Sequence, residues 1–465
     1  MAKLLTSVLC AILLSAAANA APAGHLGASA SATASASAEA STGAAASGTI
    51  SALPEQVTVA HASDDPNSVL WNVTVADPPT NSEAEPYQPI RGSLGATIIA
   101  QQNPALQQMN PDLLAGPTTD NGDVPNLKWP FSMSNNRLQT GGWARQQNVD
   151  QMPIATSMAG VDMRLEAGAI RELHWHQTAE WAYVLSGYMQ VTAVDENGRN
   201  FLSTVGPGDL WYFPPGIPHS LQATNQTAEG AEFLLVFNSG DFSEDSTFLL
   251  TDWLAHTPKE VLAKNFGTTI SAFDNIPAEQ LYIFPGAPPS PDAAAPEDPQ
   301  GQAPLSYTYK LSEVTPTEYA GGFVRNADAN TFNVSTGISV SDVTVQPGGM
   351  REMHWHPTQN EWTYYISGSA RVTVFASSST ARTWNYEPGD IGYVPASYGH
   401  YIENIGDTDL HFLEIFDSDV VQDISLNQWL AVIPTALVEA HLDLDEETMS
   451  MLSKTKPVIV GSTGV

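Results

Sequence analysis

The apolar positions of this chain fall in short bursts rather than long stripes. From about residue 131 onward, runs rich in Val, Ile, Tyr, Phe and Trp follow one another, each closed by Gly, Pro or Asp. "EWAYVLSG" (180–187) and "EWTYYISG" (361–368) are examples. Runs of this composition, punctuated at close spacing, predict a mostly β protein of the sandwich or barrel kind. The period changes twice. "WLAHTPKEVLAKNF" (253–266) and "QWLAVIPTALVEAHLDL" (428–444) carry apolar residues three and four apart, which predicts helices. Each β segment is thus expected to end in a short helical tail.

The pattern is written twice. "GGWAR" (141–145) answers "GGFVR" (321–325), "RELHWH" (171–176) answers "REMHWH" (351–356), and "GDLWYFPPGIPH" (208–219) answers "GDIGYVPASYGH" (389–400). A near-constant offset means two copies of one domain. We place the first at 131–285 and the second at 305–465, joined by a Pro-rich linker at 286–304. Residues 53–130 carry Pro and turn signals and read as an extended arm. Residues 21–52, almost all Ala, Ser, Gly and Thr, have too little to bury and are expected to be disordered.

Residues 1–20 read as an export signal: Lys3, an apolar stretch from Leu4 to Ala17, and the small-residue site Ala18-Asn19-Ala20. The stretch is too short to span a bilayer, and no later segment is long and apolar enough to do so. The only cysteine, Cys10, lies inside this signal, so a mature chain offers neither disulfide nor thiolate ligand. A secreted protein is expected, with sequons at Asn72, Asn225 and Asn333 as glycosylation sites. Composition adds one constraint: 17 Lys and Arg stand against 50 Asp and Glu, a net charge of −33. Such a surface repels phosphate backbones and argues against nucleic acid. An anionic substrate would need local attraction from a metal ion or a buried arginine.

The repeated block supplies candidates for the metal. On a strand, residues i and i+2 share a face, so His174 and His176 project together with Trp175 opposite. His354 and His356 flank Trp355 in the same way. Glu180 and Glu361 follow, and His219 and His400 end the later segments. Six of the 11 histidines fall at these six positions. Three imidazoles and one carboxylate, twice over, make two metal sites. They would close a tetrahedral zinc but leave two positions open on an octahedral ion, and do not by themselves choose between manganese and iron.

The spacing Gly168-x5-His174-x-His176-x3-Glu180-x6-Gly187, then Gly208-x5-Pro214-x-Gly216-x2-His219, matches the two cupin motifs. The second copy matches through Gly348, His354, His356, Glu361, Gly368, Gly389, Pro395, His400 and Asn404, with one extra residue before Glu361 and Ser397 in place of a Gly; Ala223 stands where the first copy should have Asn. From about 90 to 450 the chain resembles a secreted fungal oxalate decarboxylase, a bicupin. The resemblance implies two tandem cupin (double-stranded β-helix, jelly-roll) barrels, each followed by short α-helices. It implies manganese, two per chain, with dioxygen as co-substrate in a redox-neutral cleavage of oxalate to formate and carbon dioxide. It also implies a homo-oligomer, a trimer or a hexamer of stacked trimers.

Two roles carry over. Arg171 would bind the second carboxylate of oxalate, although three residues before His174 is an odd offset that strand alternation faces away. Glu244, in "SEDS" (243–246) where the family's lid reads Ser-Glu-Asn-Ser, would be the proton donor. The second copy has no such loop; Arg351 and Glu414 are its counterpart candidates. Oxalate oxidase, with the same metal and substrate but peroxide as product, is the nearest alternative. A non-catalytic bicupin and an iron cupin are further ones.

Overall fold

The computed structural model describes residues 89–91, 94–103, 106–107, 116, 119–290 and 292–462. The export signal, the Ala/Ser-rich segment and Asn72 lie outside these residues, as does most of the arm.

Each copy is a jelly roll of two antiparallel sheets, one of six strands and one of seven, packed face to face rather than closed into a single ring. In the first copy the six-stranded sheet contains Ile170–Trp175, Met189–Val194 and His219–Ala223. The seven-stranded sheet contains Ala159–Leu165, Glu180–Ser186, Leu210–Phe213 and Ala231–Phe237. The second copy repeats this with Met350–Trp355 and Gly399–Asn404 facing Glu361–Ser367 and Leu410–Phe416.

The apolar runs that do not alternate have a physical cause. The two seven-stranded sheets lie back to back, so strands such as Glu180–Ser186 and Glu361–Ser367 are buried on both faces. One core cluster joins Trp181, Phe233 and Leu235 of the first copy to Trp362, Tyr364 and Ile415 of the second. The Trp362 indole donates to Gln147 Oε1 at 2.7 Å. A Cβ at Gly160 would stand 2.3 Å from that indole, so only glycine lets the sheets approach this closely.

The copies also exchange edge strands. Lys128–Pro130, which precedes the first copy, pairs with Asp390–Val394 of the second. Thr308–Tyr309, at the start of the second, pairs with Leu210–Phe213 of the first. The arm from 119 to 130 runs along the second copy, where Asp120 Oδ1 accepts from the Thr383 amide at 2.8 Å. The Pro-rich stretch is tied to the first: Asn200 donates from its amide to Asp298 and from Nδ2 to the Pro296 carbonyl.

Each predicted helical tail is two helices. Leu250–Ala255 and Lys259–Phe266 are separated at Pro258, and Leu426–Val432 and Thr435–Leu442 at Pro434, because proline cannot donate into a continuous helix. A third helix, Glu446–Met451, ends the second copy. No helix among the described residues is long and apolar enough to cross a membrane.

Candidate metal centres and the acid above the first

His174, His176, Glu180 and His219 converge, all buried, with one potential ligand atom from each lying within 4.8 Å of the others. His174 and His219 face each other across paired strands, and Glu180 reaches over from the opposite sheet. In each ring Nδ1 meets a backbone carbonyl: Glu172 at 2.5 Å for His174, Thr178 at 2.7 Å for His176, Ile217 at 2.8 Å for His219. A carbonyl only accepts, so Nδ1 carries the hydrogen and Nε2 turns its lone pair inward. Glu180 Oε2 lies 3.1 and 3.3 Å from two of those nitrogens, and Trp211 Nε1 donates to Oε1 at 2.8 Å, fixing the carboxylate. Burial, with Arg171 close by, holds His174 well below the usual imidazole range, in the neutral form that binds metal.

The second centre repeats the construction. His354, His356 and His400 turn Nδ1 to the carbonyls of Glu352, Gln422 and Tyr398, and Glu361 Oε2 stands 2.9 and 3.1 Å from the Nε2 atoms of His356 and His400. His354 Nε2 is buried without a hydrogen-bond partner, the state of a nitrogen built to bind something else. Three neutral imidazoles, one carboxylate and no thiolate fit a divalent ion such as manganese in both places.

Arg171 faces the same side as His174 despite the odd offset, because the strand bulges between them. His219 pairs with His174 but Leu221 with Arg171, so Ser220 alone opposes Glu172 and Leu173 and the alternation resets. Arg351 and His354 show the same shift against Ile402 and His400. The displaced residue, Glu172, accepts from the amides of Thr251, Leu281 and Tyr282. It thereby pins Tyr282 in a left-handed conformation with φ 56°.

Glu244 comes from the opposite direction, on the short 3-10 turn Glu244–Ser246. Its Oε2 accepts from Arg171 Nη2 at 2.8 Å and from the Tyr282 hydroxyl at 2.8 Å, and its amide donates to Gln146 Oε1 at 3.0 Å. Burial, then the Glu244 carboxylate, pushes the Tyr282 phenol well above its usual range, so it stays a donor. Asp245 points the other way, to Arg137 Nη1 at 3.2 Å.

Comparison with known proteins accords with this geometry. The family described as Cupin matches residues 131–272 and 309–450. The oxalate decarboxylase of Bacillus subtilis (strain 168) is 55% identical over 374 residues, 80% of this chain and 96% of the relative. The chain belongs to the bicupin oxalate decarboxylase family. A probable oxalate decarboxylase of Arthroderma benhamiae is 41% identical over 385 residues, covering 81% of this chain and 93% of its own length. Identity to the bacterial relative exceeds that to this fungal one, so the likeness belongs to the family as a whole rather than to its fungal members. A solved structure of the Bacillus subtilis enzyme, studied for its Mn(II) centres, superposes with a TM-score of 0.78 at 54% identity over 81% of this chain and 99% of that one.

Within this bicupin the two centres differ above the metal ligands. Glu414 is fully buried in the second jelly roll and accepts from Arg351 Nε at 3.1 Å. Asp423 takes Arg351 Nη2 at 2.6 Å and is itself paired with Lys456. The counterpart of Tyr282 is Val458: each carbonyl accepts from the amide of Glu172 or Glu352, and each residue has the same left-handed φ. Burial alone would lower His400, but Glu361, and more weakly Glu414, raise it, whereas His219 is lowered. Reading the sequence missed Tyr282, Glu172 and Asp423. Extending the repeat alignment to "YIFPG" (282–286) against "VIVGS" (458–462) would have marked Tyr282 as the position where a hydroxyl meets a valine.

Proposed function

We infer that the protein cleaves oxalate to formate and carbon dioxide with manganese and dioxygen, and that the first centre is where this happens, with Glu244 as proton donor. The observation that carries the reading is the Arg171–Glu244–Tyr282 group beside three histidines and Glu180, matched in the second copy by a buried, doubly paired Arg351. Manganese with dioxygen supplies the one-electron oxidation that lets oxalate part with carbon dioxide. The chain's own residues do the rest. Arg171 offers a planar fork to the carboxylate that the metal does not hold. Tyr282 and Arg171 both reach Glu244 Oε2, which leaves Oε1 to carry the proton delivered to the carbon that becomes formate. The 240–248 loop acts as a lid that excludes water once oxalate is inside. Arg351 already serves Glu414 and Asp423, so the second centre has no free fork for a dianion and is accessory.

Glu244→Ala tests the assignment. With manganese retained, formate output should fall by about 10²–10⁴-fold, and product should shift towards carbon dioxide and peroxide. Formate made at near the wild-type rate would move the role to another acid, Glu414 first.

Three further readings rest on surface features. Export and glycosylation fit exposed Asn225 and Asn333. Assembly fits an exposed apolar face repeated in both copies: Leu173 with Met353, Phe248 with Ile424, Trp253 with Trp429. The first copy of one chain docking on the second copy of the next closes a ring such as a trimer. Recovery from the culture medium checks export, a glycosidase shift checks glycosylation and a light-scattering mass checks assembly; protein kept inside the cells, protein without glycan and a monomer would each sink the corresponding reading.

A further inference from the structure

The lid carries two consecutive acids, and each is taken by a different arginine. Glu244 and Arg171 form a buried pair, their side chains 8% and 2% exposed. Asp245 and Arg137 form an outer pair, 87% and 27% exposed. Both guanidiniums lie over one ring, that of Tyr282, at 3.7 Å for Arg137 and 4.1 Å for Arg171. Outside them is a polar cavity of about 450 Å³ lined by Arg137, Arg145, Gln146, Glu244, Asp245 and Tyr282 among others. Arg145 is committed elsewhere, to Asp162 at 2.8 Å.

We propose that Arg137 is an outer anion-binding residue that captures the small dicarboxylate substrate in this cavity and passes it to Arg171. The proposal rests on reading 240–248 as a lid. Magnitudes favour it. An exposed ion pair such as Asp245–Arg137 is worth about 0–1 kcal/mol and gives way readily. When the segment lifts, both arginines lose their carboxylates together, and an oxalate dianion replaces the two charges withdrawn. Stacking on Tyr282 keeps the Arg137 guanidinium in place while its partner is away. The net charge of −33 makes such a local cation necessary, since the surface as a whole repels the substrate. Asp245 is then a built-in competitor for the capture site.

The test is steady-state kinetics on the manganese-loaded full chain at low and high ionic strength, with metal content measured for every variant. Arg137→Gln should raise KM for oxalate about tenfold, the worth of one charge-assisted contact, with the loss carried by KM rather than kcat. It should also flatten the fall of kcat/KM with salt, because the screened charge is gone. Arg137→Lys should restore the salt dependence, and Asp245→Asn should lower KM. An unchanged KM and salt slope in Arg137→Gln would overturn the proposal. So would a shift from formate to peroxide with KM unchanged, which would make Arg137 only a strap on the lid. The lid-acid reading fails separately, through the product partition of Glu244→Ala, while capture is judged on KM and salt alone.

Discussion

Arg171 shows how much one side chain's surroundings decide. Its buried guanidinium is held by the Tyr282 ring on its flank and one carboxylate oxygen at its tip. Arg351, equally buried, is gripped at Nε and at Nη2 by two carboxylates, and burial is outweighed by Glu414 and Asp423 in keeping it charged. Under the proposed function the first arginine exchanges its single partner for a substrate carboxylate, which the second could not do without stranding two buried charges. Arg171→Lys keeps the charge but loses the fork, so kcat/KM for oxalate should fall at least about tenfold, one step of 1.4 kcal/mol. Arg351→Lys, normalised to bound manganese, should cost much less. Equal losses would contradict the choice of site. The ligands themselves were legible in the sequence, because metal chemistry restricts residue type and spacing so narrowly that two copies could not coincide by chance. The orientation of Arg171 was not: strand alternation points it outward, and the bulge that turns it inward leaves no local mark.

At the scale of elements, strand identity was readable and strand partnership was not. A run such as "EWAYVLS" announces itself through its aromatic and β-branched residues. Nothing in "KWP" (128–130) announces that it will pair with Asp390–Val394, more than 250 residues away, since that choice is made by packing after both copies form. One feature of the pairing can be weighed. Lys128 Nζ meets Asp390 Oδ2 at 3.0 Å, with both side chains nearly enclosed, and also donates to the Asn385 carbonyl at 2.6 Å. Removing the cation leaves a buried carboxylate against Glu387, another acid. Lys128→Ala should therefore destabilise by about 3 kcal/mol and loosen the arm from the second copy. A lowered melting temperature, with faster amide exchange at 128–130 than in the centre of the sheet, is the expected result. Unchanged exchange there would mean that the arm is held by its backbone pairing alone.

For the whole molecule, the buried acids that bind no metal set how stability follows pH. Burial, then Glu232 nearby, pushes the Asp162 carboxyl up to about 6 despite Arg145. Burial likewise raises Glu387 to about 7, only partly offset by its bond from Ser369. Both are raised above their unfolded values near 4, so the folded chain holds protons that the unfolded chain has released. Their contribution is fully present below about pH 4 and is lost as pH rises through 6 and 7. Asp423 works in the opposite sense: burial is outweighed by Arg351 and Lys456, which hold it at about 2, so its contribution is present above about pH 4 and lost as pH falls through 2. These three groups together favour a folded state most stable near pH 4. The clean measurement is a difference between variants, in which the contribution of every other group cancels. Asp162→Asn should gain on the wild type by about 2–3 kcal/mol between pH 4 and pH 7, whatever its offset at pH 4, because the variant no longer has a carboxyl to ionise in a buried site. Glu387→Gln should gain in the same direction. Denaturation curves for wild type and Asp162→Asn that stay parallel from pH 4 to pH 7 would show that Arg145 satisfies the Asp162 charge in full, and that this buried acid does not tune the molecule to acid.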